Sequence, residues 1–224
     1  MEKGKVIVLE GACDGIGKST QYAMLKERLL GDGIKIVSHH FPSYNTYHGV
    51  FVEKYLSGEY GGIKDLSPYL INDFYAIDRA ITWHTYLKKF YLEKKLILLD
   101  RYTTSSIIYQ SSVIEDAKER IDFINYIIDF EYHKLGIQEP DCTIFLTAPF
   151  DLISQIRMAR TINDGVLNDI HESDLSFMKK VYDNAIFVAD YLNWEHIECS
   201  SHNQMKSIED IHEDIYTRVR KKLD

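Results

Sequence analysis

The chain has 224 residues, of which 45% are hydrophobic and 27% are charged, and its formal net charge is −8 at pH 7. This size and composition predict one domain over 1–224 with a full buried core, and the acidic balance argues against nucleic acid or an anionic membrane as a partner. No signal peptide precedes Val6, no apolar run approaches the ~18 residues of a membrane span, and the three cysteines lack metal-ligand spacing, so we expect a cytoplasmic protein in a reducing compartment.

The first predicted elements are a strand, a glycine-rich turn and a helix. Val6–Leu9 is a short, β-branched apolar run, and apolar residues recur at near-helical spacing after Thr20. A glycine-rich turn in this context is typical of a phosphate-binding P-loop, because its backbone N–H groups and the positive end of the helix surround phosphate oxygens. The pattern predicts that a nucleoside phosphate is bound by Gly11, Ala12, Cys13, Asp14, Gly15, Ile16, Gly17, Lys18, Ser19 and Thr20.

Two residues of this loop carry its chemistry. Lys18 is placed to reach the outer phosphates, and the Ser19 hydroxyl is placed to ligate Mg²⁺. The usual spacing puts the first glycine at position 12, where this chain has Ala12. The loop therefore either has one extra residue after Gly11 or tolerates alanine. Cys13 is interpreted as a small filler of space and not as a nucleophile.

Strands and helices alternate along the rest of the chain. Further strands are predicted at Ile34–Val37, Leu96–Leu99, Thr143–Leu146 and, weakly, His196–Cys199. After a first helix that ends near Gly31, helices are predicted at Val50–Leu56, Leu66–Glu93, Thr103–Glu115, Asp116–Leu135, Asp151–Ile162, Asp174–Leu192 and Ile208–Leu223. This alternation predicts the α/β three-layer fold of P-loop NTPases, in which helices cover both faces of a five-stranded parallel sheet. A small lid is expected at about 157–172.

Ligands of such sheets bind beyond the carboxyl ends of the strands. Four predicted strand ends should therefore converge on one cleft, bringing together the P-loop, Phe41-Pro42, Asp100-Arg101-Tyr102 and Thr147–Pro149. Asp100 ends an apolar strand, where P-loop enzymes hold the acid that positions Mg²⁺. Arg101 follows it and is suited to a phosphate.

At this point the sequence resembles one family. Asp100-Arg101-Tyr102, followed by Ser105 and then by Tyr109-Gln110, resembles the signature of thymidylate kinases. The likeness extends over nearly the whole chain and includes the P-loop, Phe41-Pro42, the segment Phe74–Arg79 and Pro140-Asp141.

The resemblance implies roles for individual residues. Tyr75 matches the aromatic residue that stacks on thymine, and Arg79, on the same helix face, matches the arginine that hydrogen-bonds the base. Asp14 matches an acid near the acceptor sugar, and Arg101 matches an arginine on the acceptor phosphate. The residues that match the lining of the base and sugar pocket are Ser105, Tyr109 and Gln110, with Phe41 and Pro42 in a second substrate loop.

We predict that Arg157 and Arg160 supply the positive charge of the lid, because they share a helix face and precede the polar segment 163–165. Two departures from the family stand out. Tyr44 occupies a position at which an arginine for the acceptor phosphate is common, with His39 and His40 the nearest cations in sequence. The segment 169–172 also lacks the arginine expected in the lid.

The leading hypothesis is an ATP- and Mg²⁺-dependent kinase that converts dTMP to dTDP, acting as a homodimer. Dimerisation is inferred from the family and from the many aromatics of the helices at 50–56 and 66–93, such as Phe51, Tyr55, Trp83, Phe90 and Tyr91. One alternative is a related kinase for another nucleoside monophosphate or for a deoxynucleoside, which would need a general base such as Glu10. Another is a nucleotide-binding switch protein without turnover.

Overall fold

The computed structural model describes the backbone of residues 3–164 and 175–223, with side chains for 3–158 and 175–223. Five parallel strands form the main sheet, and they are β1 (Lys5–Gly11), β2 (Ile36–His40), β3 (Leu96–Asp100), β4 (Cys142–Thr147) and β5 (Glu195–Glu198). Their spatial order is β2-β3-β1-β4-β5. The predicted five-stranded parallel sheet is confirmed.

Helices cover both faces of this sheet. Their bounds are α1 (Lys18–Gly31), α2 (Val50–Leu56), α3 (Pro68–Thr82), α4 (Lys88–Leu92), α5 (Thr103–Ser111), α6 (Ala117–Ile128), α7 (Phe150–Asp164), α8 (Leu175–Tyr191) and α9 (Ile208–Leu223). Alternate residues of β1 enter separate cores, since Ile7 packs in a cluster with residues of α1 and α9, whereas Val8 packs in a cluster with Trp83 and Leu87. Burial on both faces explains why the strands read as continuous apolar runs.

The second strand begins two residues later than the sequence pattern predicts. Gly33 has a φ of 80° and donates its N–H to Leu30, and Ile34 donates to Leu29 at 3.1 Å. These bonds close the carboxyl end of α1, so Ile34 belongs to the helix cap and not to the strand.

The long helix predicted at 66–93 is present with an interruption. Ser67 caps α3 by accepting a hydrogen bond from the N–H of Tyr69, and a π-helical turn, Trp83–Leu87, joins α3 to α4. A second π-helical segment, Asp129–Lys134, extends α6. Such turns are not encoded by a simple apolar period, and they are frequent at functional sites.

A short antiparallel hairpin after β5 was not predicted from the sequence. Its strands are β6 (Ser200–Ser201) and β7 (Gln204–Met205), and His202 and Asn203 between them have φ values of 52° and 59°. The asparagine is the local signal, since it tolerates the left-handed conformation that a two-residue hairpin turn requires.

Among the residues that the structure describes, none of the helices combines the length and the apolar character needed to cross a membrane. The three cysteines, Cys13, Cys142 and Cys199, are buried and free.

Candidate active site

A cavity of about 250 Å³ opens beyond the carboxyl ends of β1, β2 and β3. Its lining comes from the phosphate loop, the segments that follow β2 and β3, and helices α2, α3 and α5. The lining residues are Asp14, Lys18, Ser19, His40, Phe41, Pro42, Tyr44, Leu56, Tyr75, Arg79, Arg101, Tyr102, Ser105, Ser106, Tyr109 and Gln110. All of the residues predicted to bind the acceptor are thus brought together from separate parts of the chain.

The phosphate loop forms a second, smaller hollow of about 80 Å³ that is lined only by Cys13–Thr20. Gly15 and Gly17 have φ values of 99° and 94°, which favour glycine because a Cβ would be strained there. A Cβ added at Gly15 would also lie 3.3 Å from the Cβ of Arg157. The part of α7 that includes Ile153 and Arg157 therefore packs against the loop.

Ala12 fits into the phosphate loop without needing the backbone conformations that only glycine adopts easily. Its φ is not positive, its N–H donates to Leu146 at 2.9 Å, and its methyl group is fully buried in a cluster with Phe145. Of the two readings of the loop spacing, tolerance of alanine is the one that this geometry supports. Burial raises the pKa of Cys13 to about 12, so its thiol is neutral at pH 7 and suits a filler of space.

Asp100 ends β3 and accepts hydrogen bonds from two residues that line the cavity. Lys18 donates from Nζ to one carboxylate oxygen, and Nδ1 of His40 lies 2.9 Å from the other. Burial opposes the ionisation of Asp100, but the hydrogen bond with His40 and the charge of Lys18 lower its pKa to about 2. Asp100 is therefore a carboxylate at neutral pH.

A second charged cluster joins Arg101 to Asp14. Arg101 has a φ of 63°, an uncommon conformation for a residue with a side chain, and its Nη2 donates to Asp14. The hydroxyl of Tyr109 donates to the other oxygen of Asp14 at 3.0 Å. Burial opposes ionisation of Asp14, yet Arg101, Lys18 and Tyr109 together lower its pKa. The cluster presents a fixed guanidinium and a fixed carboxylate to the cavity.

Glu10 does not line the cavity. Its side chain is fully buried and accepts hydrogen bonds from the N–H of Gly11 at 3.0 Å, from Thr104 at 2.9 Å and from Ser105 at 2.5 Å. Its oxygens thus hold the start of α5 and face Arg101 at 3.8 Å, an arrangement that does not favour the general-base role required by a nucleoside acceptor.

The cavity also has the groups predicted to hold a base, and the part that they line is its base end. Tyr75 and Arg79 both line it, one turn apart on α3. Gln110 also lines it, and its buried Oε1 has no hydrogen-bond partner among the described residues. Arg79 is only 2% exposed and pairs with Glu131. Sequence reasoning missed Glu131, because a glutamate is almost never fully buried unless it is paired, and its partner is distant in sequence.

The segment after β2 is attached to α3. The N–H of Ser43 donates to the buried carboxylate of Asp78 at 2.7 Å, a contact that was not predicted. Tyr44 lines the cavity beside His40, with 6.3 Å between their ring centres. Nε2 of His39 lies 2.9 Å from Oγ of Ser43, and burial lowers the pKa of His39. Of the two histidines considered for the role of the missing arginine, His40 alone reaches the cavity.

Not every predicted strand end contributes to the cavity. Thr147–Pro149 does not line it and leads instead into α7. Arg157 of that helix stands over the phosphate loop. The side chain of Arg160 and the rest of the expected lid, residues 165–172, lie outside the described residues. The lid therefore stays a prediction.

Comparison with known proteins points to one family. The sequence model of the family described as thymidylate kinase matches residues 9–215. A probable thymidylate kinase of Thermococcus onnurineus is 28% identical over 220 residues, which are 97% of this chain and 98% of the relative. A thymidylate kinase of Plasmodium falciparum is 28% identical over 222 residues, which are 98% of this chain and 91% of the relative.

A solved structure of a thymidylate kinase from Candida albicans has a similar fold. Its TM-score is 0.74 at 22% sequence identity, and the match covers 99% of this chain and 94% of that chain. At this identity the likeness establishes the fold alone.

Proposed function

The chain belongs to the thymidylate kinase family, and on this premise we propose that it transfers the terminal phosphoryl group of ATP to dTMP, forming dTDP and ADP. The observation that carries the proposal is the cavity beside the phosphate loop, because it gives a second nucleotide a place next to the donor. A nucleotide switch without turnover has no use for that second site.

The base end of the cavity suits thymine. Arg79 has only hydrogen-bond donors, and the unpartnered Oε1 of Gln110 is an acceptor. Thymine and uracil offer the complementary pair, a carbonyl acceptor at position 4 beside an N–H donor at position 3, whereas cytosine presents the reverse at both positions. The ring of Tyr75 supplies a flat surface on which a pyrimidine can stack.

The phosphate end of the cavity suits a monophosphate acceptor. Lys18 and Arg101 carry positive charge there, and a guanidinium can bind a phosphate through two parallel hydrogen bonds. A nucleoside acceptor would need a free general base, and the oxygens of Glu10 are committed to Gly11, Thr104 and Ser105. The phosphorylated acceptor is therefore the better fit.

Asp100 and Ser19 are the residues that would hold Mg²⁺. Asp100 is ionised at neutral pH, and Ser19 supplies a hydroxyl from the lining of the cavity, so both are the hard oxygen ligands that this ion prefers. Within the described ranges there is no cluster of three or more His, Cys, Asp or Glu side chains that could hold a metal, which suits an ion bound largely by substrate and water oxygens. The chemistry that a bound magnesium ion supplies is neutralisation of charge on the donor phosphates.

The protein's own part in the reaction is positioning and charge. The backbone of the phosphate loop and Lys18 hold the donor phosphates, Arg101 holds the acceptor phosphate, and Asp14 lies near the acceptor sugar. Arg157, over the loop, adds positive charge where the phosphoryl group moves, and Arg160 is proposed to join it from the lid. Phosphoryl transfer needs little covalent chemistry from the protein, so contacts that align the substrates and neutralise charge are the kind of assistance that the reaction requires.

Acceptor choice tests the proposal. In a coupled ADP-release assay, dTMP is expected to have the highest kcat/KM among dTMP, dUMP, dCMP, UMP, AMP, GMP and thymidine. The reversed hydrogen-bonding edge of dCMP should lower its kcat/KM at least about tenfold, since one mismatched hydrogen bond is worth about 1–3 kcal/mol. Faster turnover of thymidine or AMP than of dTMP would show that the assignment is wrong.

We also propose that the protein is a homodimer. Leu70, Phe74 and Ile77 form an apolar stripe along α3, and Phe51 of α2 stacks on Phe74 with 6.3 Å between ring centres. Leu70, Ile77 and Phe51 are 42–43% exposed. A second copy of the chain would cover this stripe. The other aromatics of this region contribute less than the sequence suggested, because Tyr55, Trp83 and Tyr91 are buried within the chain.

Replacing Ile77 with glutamate is expected to convert a dimer into a monomer, because a charge in the centre of an apolar interface must be desolvated. Light scattering at micromolar concentration should give twice the mass of one chain for the parent and the mass of one chain for the variant. Leu92→Glu is the matched control, since Leu92 is 57% exposed outside the stripe. A parent of monomeric mass would contradict the proposal.

The location that we propose is the cytoplasm. All three cysteines are free and buried, which suits a reducing compartment.

A further inference from the structure

Beneath the base end of the cavity lies a buried ion pair. Arg79 donates from Nε to Oε2 of Glu131 and from Nη2 to Oε1, both at 2.6 Å. The side chain of Arg79 is 2% exposed, and that of Glu131 is fully buried. Burial opposes the charged form of Arg79, but Glu131 raises its pKa, so the guanidinium stays charged. The two side chains thus form a bidentate ion pair that is removed from solvent.

The surroundings hold Glu131 and Arg79 in one orientation. Oγ1 of Thr103 donates to Glu131 at 3.0 Å, and Nη2 of Arg79 also donates to Oγ of Ser106 at 2.8 Å. Glu131 itself lies in the π-helical segment that extends α6. A buried ion pair adds little stability compared with apolar packing of the same volume. Its position at a binding cavity therefore suggests that it serves binding and not stability.

The bonds divide the guanidinium into two sides. Nε and Nη2 are engaged by Glu131, Ser106 and Asn72, whereas Nη1 makes no hydrogen bond with a residue in the described part of the chain. Arg79 nevertheless lines the cavity. One nitrogen is therefore left for a ligand, and that nitrogen can serve only an acceptor atom.

We propose that Glu131 is a positioning residue for acceptor selection. By occupying one side of the Arg79 guanidinium, it presents Nη1 to a single carbonyl oxygen of the acceptor base and balances the buried charge behind it. This inference rests on the proposed function. It adds that the preference for a base with a carbonyl at position 4 depends on a carboxylate that does not touch the base.

The test is Glu131→Gln, which keeps the size of the side chain. A glutamine retains one acceptor oxygen but turns an N–H₂ donor toward a guanidinium donor, so Arg79 should lose its fixed orientation. We expect KM for dTMP to rise about tenfold, as for the loss of one charge-assisted hydrogen bond, while kcat and KM for ATP change less than about twofold. The ratio of kcat/KM for dTMP to that for dCMP should fall by a similar factor.

A gentler variant keeps the test decisive if Glu131→Gln does not fold. Thr103→Val removes the hydrogen bond to Oε2 of Glu131 together with one to Tyr132, and Thr103 is buried and does not line the cavity. It should raise KM for dTMP about two- to threefold. Asp129→Asn is the matched control, since Asp129 starts the same π-helical segment but is exposed, with its carboxylate near His133 and Lys134. It should leave KM and the base ratio unchanged.

The outcomes separate this inference from the function on which it rests. If the parent does not phosphorylate dTMP, the proposed function fails. If the parent does, but a folded Glu131→Gln or Thr103→Val variant keeps the parental KM for dTMP and the parental preference over dCMP, the inference is overturned. A lower melting temperature with unchanged KM and base ratio also overturns it, because it would assign Glu131 a structural role only.

Discussion

Replacement of Lys18 by alanine is expected to lower kcat for dTMP phosphorylation more than about 100-fold. Lys18 is the first residue of α1, its side chain is buried, and its Nζ is held against Asp100 at the phosphate loop. A charge fixed in advance beside a transferring phosphoryl group typically contributes several kcal/mol to the stabilisation of the transition state. The measurement is ADP release at saturating ATP, Mg²⁺ and dTMP.

Two further variants make this result interpretable. Lys95→Ala removes a lysine that pairs with the exposed Glu93 just before the amino end of β3, away from the phosphate loop. This variant should leave kcat unchanged. Lys18→Met keeps most of the side-chain volume without the charge and should be as inactive as Lys18→Ala. Retention of more than a tenth of the parental kcat in Lys18→Met would mean that another group serves the phosphates.

The second large effect is expected at Arg101. Arg101→Gln should lower kcat/KM for dTMP by up to about 100-fold, chiefly through KM, because a charge-assisted hydrogen bond to a phosphate contributes about 1.5–3 kcal/mol. The variant also leaves the carboxylate of Asp14 without its principal cation. A loss in the free energy of unfolding is therefore expected together with the loss of activity.

This stability loss should depend on pH in a defined direction. The pKa of Asp14 in the folded parent is below its ordinary value of 3.8, so the carboxylate contributes stability above that pH and loses it as the pH falls through the lowered pKa. In Arg101→Gln the pKa of Asp14 rises. The difference in free energy of unfolding between parent and variant should be largest at pH 7 and should shrink as the pH falls through the raised pKa of Asp14 in the variant and then through its lowered pKa in the parent.

Urea unfolding at pH 7, 5, 4 and 3 measures this difference. Arg28→Gln is the matched control, because Arg28 pairs with Glu213 on the surface, away from the cavity, where solvent screens such pairs. It should leave KM for dTMP unchanged. A parental KM in Arg101→Gln would place the acceptor phosphate elsewhere.

Much of the fold follows from short-range patterns. The apolar runs of β1, β3 and β4, the cap formed by Ser67 and the apolar spacing of α9 depend on residues a few positions apart, so they can be recognised without a structure. The predicted start of β2 was wrong because an apolar residue such as Ile34 is compatible with both a strand and a helix cap. The hydrogen bond from its N–H to Leu29 shows that it belongs to the helix cap.

By itself the sequence determined the phosphate loop, the parallel sheet and the meeting of the segments that follow β1, β2 and β3, because strand–turn–helix order forces carboxyl ends of parallel strands to one edge. Only the tertiary structure decided which partners the residues of the site take. Glu131 lies 52 residues from Arg79, and Asp78 lies 35 residues from Ser43. Such pairings depend on how helices pack across the sheet, and a local pattern has no information on side chains that meet only after the chain has folded.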